Sequence, residues 1–200
     1  MTEPIPLRIL IDGTNMAHRD FHAAGLDRIA SITRRRMQAF REQWKPERVM
    51  AAFDLSEKTF RHELHADYKA GRTPPPEIDS AIQTCQESLL DSCVDVVSSP
   101  GFEADDVIAT LTRIALQRGR RVLVYSADKD LHQLITPGSV TQLTACRREH
   151  NELRCVWQTD ETLQKKFGVR ASQWIDFRTM TGDSSDNLPG IARIGADTAR

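Results

Sequence analysis

Three short apolar runs in this chain lead directly into an aspartate, and that repetition narrows the possible folds more than any other feature. Leu7 to Ile11 runs into Asp12-Gly13-Thr14-Asn15, Val49 to Phe53 delivers Asp54, and Arg121 to Ser126 is followed by Ala127 and Asp128. Short apolar runs closed by turn-forming residues read as buried strands. Between them lie longer stretches with helical periodicity, at about 27–43, 77–92 and 103–117, with a further strand at Val94 to Val97. Strands alternating with helices predict an α/β fold: a mainly parallel central sheet with helices on both faces. Ligands of such sheets bind at the carboxyl ends of the strands, so Asp12, Asp54 and Asp128 are expected at one edge. Val140 to Ala145 and Leu153 to Trp157 suit an edge hairpin, and helices are expected at about 160–167 and 171–181.

Two hundred residues suit one domain with a substantial core. A net charge of −1 looks unlike a nucleic-acid binder. Metal held by the acidic clusters would nonetheless leave the basic residues exposed to phosphate, so net charge neither supports nor excludes DNA. Cys85, Cys93, Cys146 and Cys155 show no zinc spacing. With no signal peptide and no apolar run near 18 residues, the expectation is reduced thiols, a cytoplasmic location and no membrane partner. Residues 1–6 read as a short tail, and Arg34-Arg35-Arg36 as a solvated helix face.

Nine acidic residues fall in five clusters: Asp12, Asp54, Glu103/Asp105/Asp106, Asp128/Asp130 and Asp183/Asp186. Each cluster alone has a structural explanation as a turn or a helix cap. Together they exceed it, because capping needs one carboxylate per helix and the helix near 103 opens with three. Gathered carboxylates repel and raise one another's pKa, and the natural counter-charge is a hard divalent cation with oxygen ligands. Two Mg²⁺ ions about 4 Å apart suit phosphodiester hydrolysis, with Mn²⁺ as the substitute. The expected chemistry is hydrolysis of phosphate esters.

The spelling is more specific still. In order come Ile11-Asp12-Gly13-Thr14-Asn15, Phe53-Asp54 with Lys58-Thr59-Phe60-Arg61, Tyr68-Lys69-Ala70-Gly71-Arg72, Gly101-Phe102-Glu103-Ala104-Asp105-Asp106, Ser126-Ala127-Asp128-Lys129-Asp130, and Met180-Thr181-Gly182-Asp183-Ser184-Ser185-Asp186-Asn187-Leu188-Pro189-Gly190. This series resembles the 5′-nuclease (flap endonuclease) family, which includes the 5′→3′ exonuclease domain of bacterial DNA polymerase I and stand-alone phage 5′-exonucleases. The resemblance implies a PIN-like, resolvase-like fold and a monomer that cuts DNA at 5′ ends and flaps. An RNA primer is a further substrate and a DNA polymerase a further partner. It implies that Asp12, Asp54, Glu103, Asp105, Asp106, Asp128 and Asp130 surround a first metal position. Asp183 and Asp186 complete a second with Asp128 and Asp130.

By the same likeness, residues 56–76 form the base of a helical arch over the 5′ strand. Lys69 and Arg72 share a face if that segment is helical and neutralise charge on the scissile phosphate. Tyr68 stacks on a base, and Arg61, His62 and His65 contact phosphate. Residues 1–182 are then the catalytic domain, and 183–200 carry the second metal pair and the start of a helix–hairpin–helix. Arg193 stands where that element commonly has glycine, and Asp197 where lysine is common. With the chain closing at Arg200, weaker duplex binding and an uncovered Ile191 and Ile194 are expected. Two alternatives remain at this point: a catalytically weak module that binds flaps or junctions, and an RNA-cleaving relative of the same architecture. The 56–76 segment speaks against the latter.

Overall fold

The structure, a computed structural model, describes residues 5–55, 58–71, 73–150 and 152–200. Six strands form one sheet: β1 Leu7–Asp12, β2 Arg48–Ala52, β3 Asp95–Val97, β4 Arg121–Tyr125, β5 Val140–Glu149 and β6 Glu152–Gln158, in the order β3-β2-β1-β4-β5-β6. The first five run parallel, and β6 returns antiparallel along β5 as the expected edge hairpin. Both hairpin strands extend beyond the apolar runs that announced them, because arginines and glutamates carry the pairing outward to Glu149 and Glu152.

Alternation along the strands explains the two-sided core. Ile9, Ile11, Val49, Ala51, Leu123 and Tyr125 face α1 (Gly13–Ala24), α2 (Ile29–Trp44) and α4 (Ile78–Asp91), which contribute Met16, Ile29, Met37, Phe40, Ile78 and Leu89. Leu10, Met50, Ala52, Val122 and Val124 point the other way, onto Ala104, Ile108 and Ala115 of α5 (Ala104–Gln117). Burial of each such large side chain stabilises the fold by about 1.5–3 kcal/mol, so a strand with apolar residues on both faces is held from both sides. A third cluster lies beyond the sheet, where α6 (Asp160–Phe167) and α7 (Trp174–Thr181) pack Leu163, Trp174 and Phe177 with Val169 and Ile135.

Register then fixes where the aspartates go. Asp12 pairs across from Ala52, and Ile11 from Tyr125, so Asp12, Asp54 and Ser126 leave the sheet at one edge. No helix among the described residues is long and apolar enough to cross a membrane.

Two expectations are corrected. Among its described residues, the segment at 56–76 contains a short α3 (Phe60–Leu64) before a run of turns at 66–71, in which Lys69 has φ +54°. A left-handed lysine does not continue a helix, and Arg72, the other residue of the expected shared face, lies outside the described residues. Residues 189–200 form turns and no helix, so the start of a helix–hairpin–helix is not seen. Arg193 there has φ +69°, the region that favours glycine. Ile194 packs against the third cluster, whereas Ile191 is 52% exposed.

Gly13 shows how tightly the β1–α1 corner is built, since a Cβ at this position would lie 2.3 Å from the Phe53 ring. Phe53 is buried within the core cluster, so its ring must be displaced into packed neighbours to admit a methyl group. Gly13→Ala is therefore expected to lower stability by about 1–3 kcal/mol, read as a lower urea midpoint with an unchanged slope. An unaltered midpoint would contradict this packing.

Candidate metal centre and nucleic-acid interface

Asp12 is the innermost carboxylate. It caps α1 by accepting the Asn15 backbone N–H at 2.9 Å, and its other oxygen accepts the Ser126 hydroxyl at 2.7 Å. Ser126 Oγ in turn accepts the Asp128 backbone N–H at 2.9 Å, so one hydroxyl links the ends of β1 and β4. Asp12 is only 4% exposed. Burial pushes its carboxyl up to about 7, with the Asn15 and Ser126 hydrogen bonds opposing and the charges of Asp54 and Asp128 adding.

Asp54, exposed at the end of β2, accepts the Ala104 N–H at 2.7 Å and so sits at the mouth of α5. The three acids of that helix mouth separate by role. Asp105 turns toward the other aspartates: burial first, then Asp12, Asp128, Asp54 and Asp130, push its carboxyl up to about 9. Asp106 turns toward Arg61, whose two terminal nitrogens hold its two oxygens at 2.7 and 2.8 Å. Against the cost of burial, this pair and the Glu103 N–H hold Asp106 below the usual carboxylate range. Glu103 accepts the Tyr68 hydroxyl at 3.1 Å on one oxygen and Lys69 Nζ at 3.0 Å on the other.

These contacts correct three readings. Tyr68 is 5% exposed, with its hydroxyl on Glu103, so its ring is not presented for stacking on a base. Burial, then Glu103, raises the phenol pKa and keeps it an O–H donor. Arg61 engages Asp106 rather than standing free for phosphate, and Asp106 commits both oxygens to it. His62 turns back on its own helix, its Nδ1 accepting the Thr59 N–H at 3.1 Å.

The remaining acids gather on the opposite side of the cleft. Asp128 accepts the Asp130 N–H at 2.8 Å, and burial with the charge of Asp128 raises the pKa of Asp130. Ligand oxygens of Asp130, Asp183 and Asp186 lie within 4.8 Å of one another. That spacing and all-oxygen chemistry fit one hard divalent ion. Asp105 lies under the charges of Asp12, Asp54, Asp128 and Asp130, a second concentration of carboxylates. The cleft has a volume of about 740 Å³, and its lining includes Lys69, Glu103, Asp105, Asp106, Asp128, Asp130, Asp183 and Asp186.

Four contributors were not anticipated. Arg178, in the last turn of α7, bonds Asp183, reaches Asp130 at 3.3 Å and donates to the Gly182 carbonyl at 3.2 Å. Gln142, fully buried on β5, donates to the Ser126 carbonyl at 2.9 Å and the Asp128 carbonyl at 2.7 Å. His132 Nδ1 lies 2.7 Å from Gln142 Oε1, and Ser126 completes the set. A polar glutamine inside an apolar strand was the visible signal for Gln142. Arg178 carried none beyond a cation placed just ahead of Gly182-Asp183. Arg193 is exposed, on the turns that follow the second acidic pair.

The family model for the 5′-3′ exonuclease N-terminal resolvase-like domain matches residues 8–168. The chain is 36% identical over 212 residues to thermostable DNA polymerase I of Thermus aquaticus, covering 99% of this chain and 24% of that protein. It thus spans about a quarter of that relative's length. It is also similar to the structure of T5 5′-exonuclease with zinc ions bound, with a TM-score of 0.76, 23% identity, and coverage of 96% and 73% of the two chains. A second similar structure is the bacteriophage T5 D15 flap endonuclease in a pseudo-enzyme-product complex with DNA and metal ions. There the TM-score is 0.74 at 22% identity, covering 96% of this chain and 72% of that one. At these identities the structural likeness shows a shared fold.

Two outcomes are expected from the electrostatics. Asp12 and Asp105 are raised from 3.8 to about 7 and about 9, so the folded chain binds these protons more tightly than the unfolded chain. Their contribution to stability is complete below 3.8 and is lost as pH rises through those folded values. Melting temperature in EDTA is therefore expected to fall between about pH 6 and 9, and added Mg²⁺ to raise it more at pH 9 than at pH 6; equal gains would contradict the proton–metal competition. Arg178→Leu is expected to cost on the order of 1–2 kcal/mol in EDTA. That loss should shrink with saturating divalent ion, and a loss unchanged by metal would place the role of Arg178 elsewhere.

Proposed function

The chain belongs to the 5′-3′ exonuclease family, and on that premise we propose that it is a Mg²⁺-dependent, structure-specific 5′-nuclease acting in replication or repair. It hydrolyses DNA phosphodiesters at 5′ ends and 5′ flaps. The observation that carries this reading is the meeting of carboxylates from β1, β2, β4, α5 and the 183–186 turn at one cleft, with Lys69 on its rim.

Divalent ions bound at such a site polarise the attacking water and neutralise the leaving oxygen. The chain's own residues do the rest. Asp12, Asp54, Asp105, Asp128 and Asp130 would hold the first ion, and Asp130, Asp183 and Asp186 the second, with Mn²⁺ as a replacement for Mg²⁺. Ser126 and Gln142 fix the turn that carries Asp128. Glu103 holds Lys69 Nζ beside the cleft, where the ammonium meets the negative charge of a scissile phosphate and of the transition state. Arg72 belongs to the same segment by the motif it shares, and the exposed Arg193 contacts duplex phosphate. The enzyme works as a monomer in the cytoplasm, on DNA and on RNA primers at 5′ ends, beside a DNA polymerase.

The deciding experiment follows cleavage of a 5′-labelled flap substrate and a matched blunt duplex, with Mg²⁺ and with EDTA. Metal-dependent cutting near the flap junction is expected. Asp128→Ala should lower the rate by at least about 10³-fold without altering the fold. Flap binding without cutting by the unaltered chain would favour a catalytically weak binding module. Activity at the unaltered level in Asp128→Ala would remove the site assignment.

A further inference from the structure

Lys69 sits on a run of turns rather than on a helix or strand, in a left-handed backbone conformation. Turns carry little intrinsic rigidity, yet the reading above needs its ammonium held at a fixed place beside the carboxylates. The tie that does this comes from the residue after Asp186. Asn187 also adopts a left-handed conformation, φ +58°, which asparagine tolerates better than most side chains. From there its side-chain amide donates to two carbonyls, Asp67 at 3.0 Å and Ala70 at 2.9 Å, which bracket Lys69. The Lys69 backbone N–H donates to the Asp186 carbonyl at 3.2 Å, and His65 Nε2 lies 3.2 Å from the Asn187 carbonyl.

Four polar contacts therefore join the Lys69 turn to the turn of the second acidic pair, between segments 117–122 residues apart in the chain. The acidic turn is itself closed, with Asp183 and Leu188 exchanging backbone hydrogen bonds of 2.8 Å in both directions. Asn187 is exposed, so burial does not account for an amide that uses both its N–H groups on a distant segment.

We propose that Asn187 is a positioning residue that sets the register of Lys69 against the carboxylates by clamping the 67–70 turn onto the 183–188 turn. The role rests on the nuclease reading, because Lys69 has a task only if a phosphate enters the cleft. Misplacing a charged group by about 1 Å costs on the order of 10²-fold in rate, and Asn187 prevents that displacement.

The test uses Asn187→Ala and Asn187→Gly in the full chain, alone and combined with Lys69→Ala. Single-turnover cleavage of a 5′-flap DNA is measured with Mg²⁺, DNA affinity with Ca²⁺, and exchange of the Lys69 and Ala70 amide hydrogens without metal. Both single variants are expected to cut about 10- to 100-fold more slowly, with affinity changed less than about threefold and faster exchange at Lys69. In the Lys69→Ala background, Asn187→Ala should cost less than about twofold, because the two act as one unit.

Full additivity of the two losses, with Lys69→Ala itself impaired, would overturn the positioning role and leave the nuclease reading standing. A normal rate for Lys69→Ala would overturn the role together with the assigned task of Lys69. Glycine accepts φ +58° without strain, so a normal rate for Asn187→Gly beside an impaired Asn187→Ala would assign the loss to backbone strain and also overturn it.

Discussion

Repulsion among carboxylates gathered at one edge of a sheet is the constraint around which this molecule is built. A parallel sheet sends the ends of β1, β2 and β4 to the same edge, and the chain places an aspartate at or just beyond each. Charges so close, partly removed from water, are costly unless neutralised. Two solutions appear side by side. At the centre, Asp12 and Asp105 have their pKa values driven upward, so protons or metal supply the missing positive charge. At the perimeter, Arg61, Lys69 and Arg178 hold Asp106, Glu103 and the Asp130–Asp183 pair.

The contrast is sharpest between two neighbours on α5. Asp106 has both oxygens bound by a guanidinium and so braces the site, while Asp105 has no cation among its principal influences and faces four aspartates. The two residues are adjacent in sequence and alike in type. Their opposite pKa directions follow from which side of α5 each occupies.

The same logic reaches into the turns. The 66–71 and 183–188 turns lack the stiffness of regular elements, and cross-links between them replace it. Behind the Asp128 turn, Gln142 does the equivalent work from β5, held in turn by His132, with buried polar groups satisfying one another and two backbone carbonyls. Such a network favours a single arrangement, because any partial loss leaves buried donors without partners.

Much of this was legible in the sequence. The parallel sheet, the edge hairpin and the meeting of five acidic clusters follow from apolar runs, their spacing and the residues that end them, and local chemistry carries that information. What could not be read was which partner each polar side chain would find. Tyr68 looked like a stacking residue and is buried against Glu103; Arg61 looked like a phosphate contact and grips Asp106. Arg178 carried little local signal, and Asn187 stood inside the 180–190 series without a role, since their partners lie in other segments or depend on how a turn closes. Sequence by itself determined the order of strands and helices and the positions where carboxylates leave the sheet, because periodicity and turn chemistry act over a few residues. Only the tertiary structure decided which carboxylates crowd one another and which are held by arginine or lysine, because that depends on distances between residues far apart in the chain.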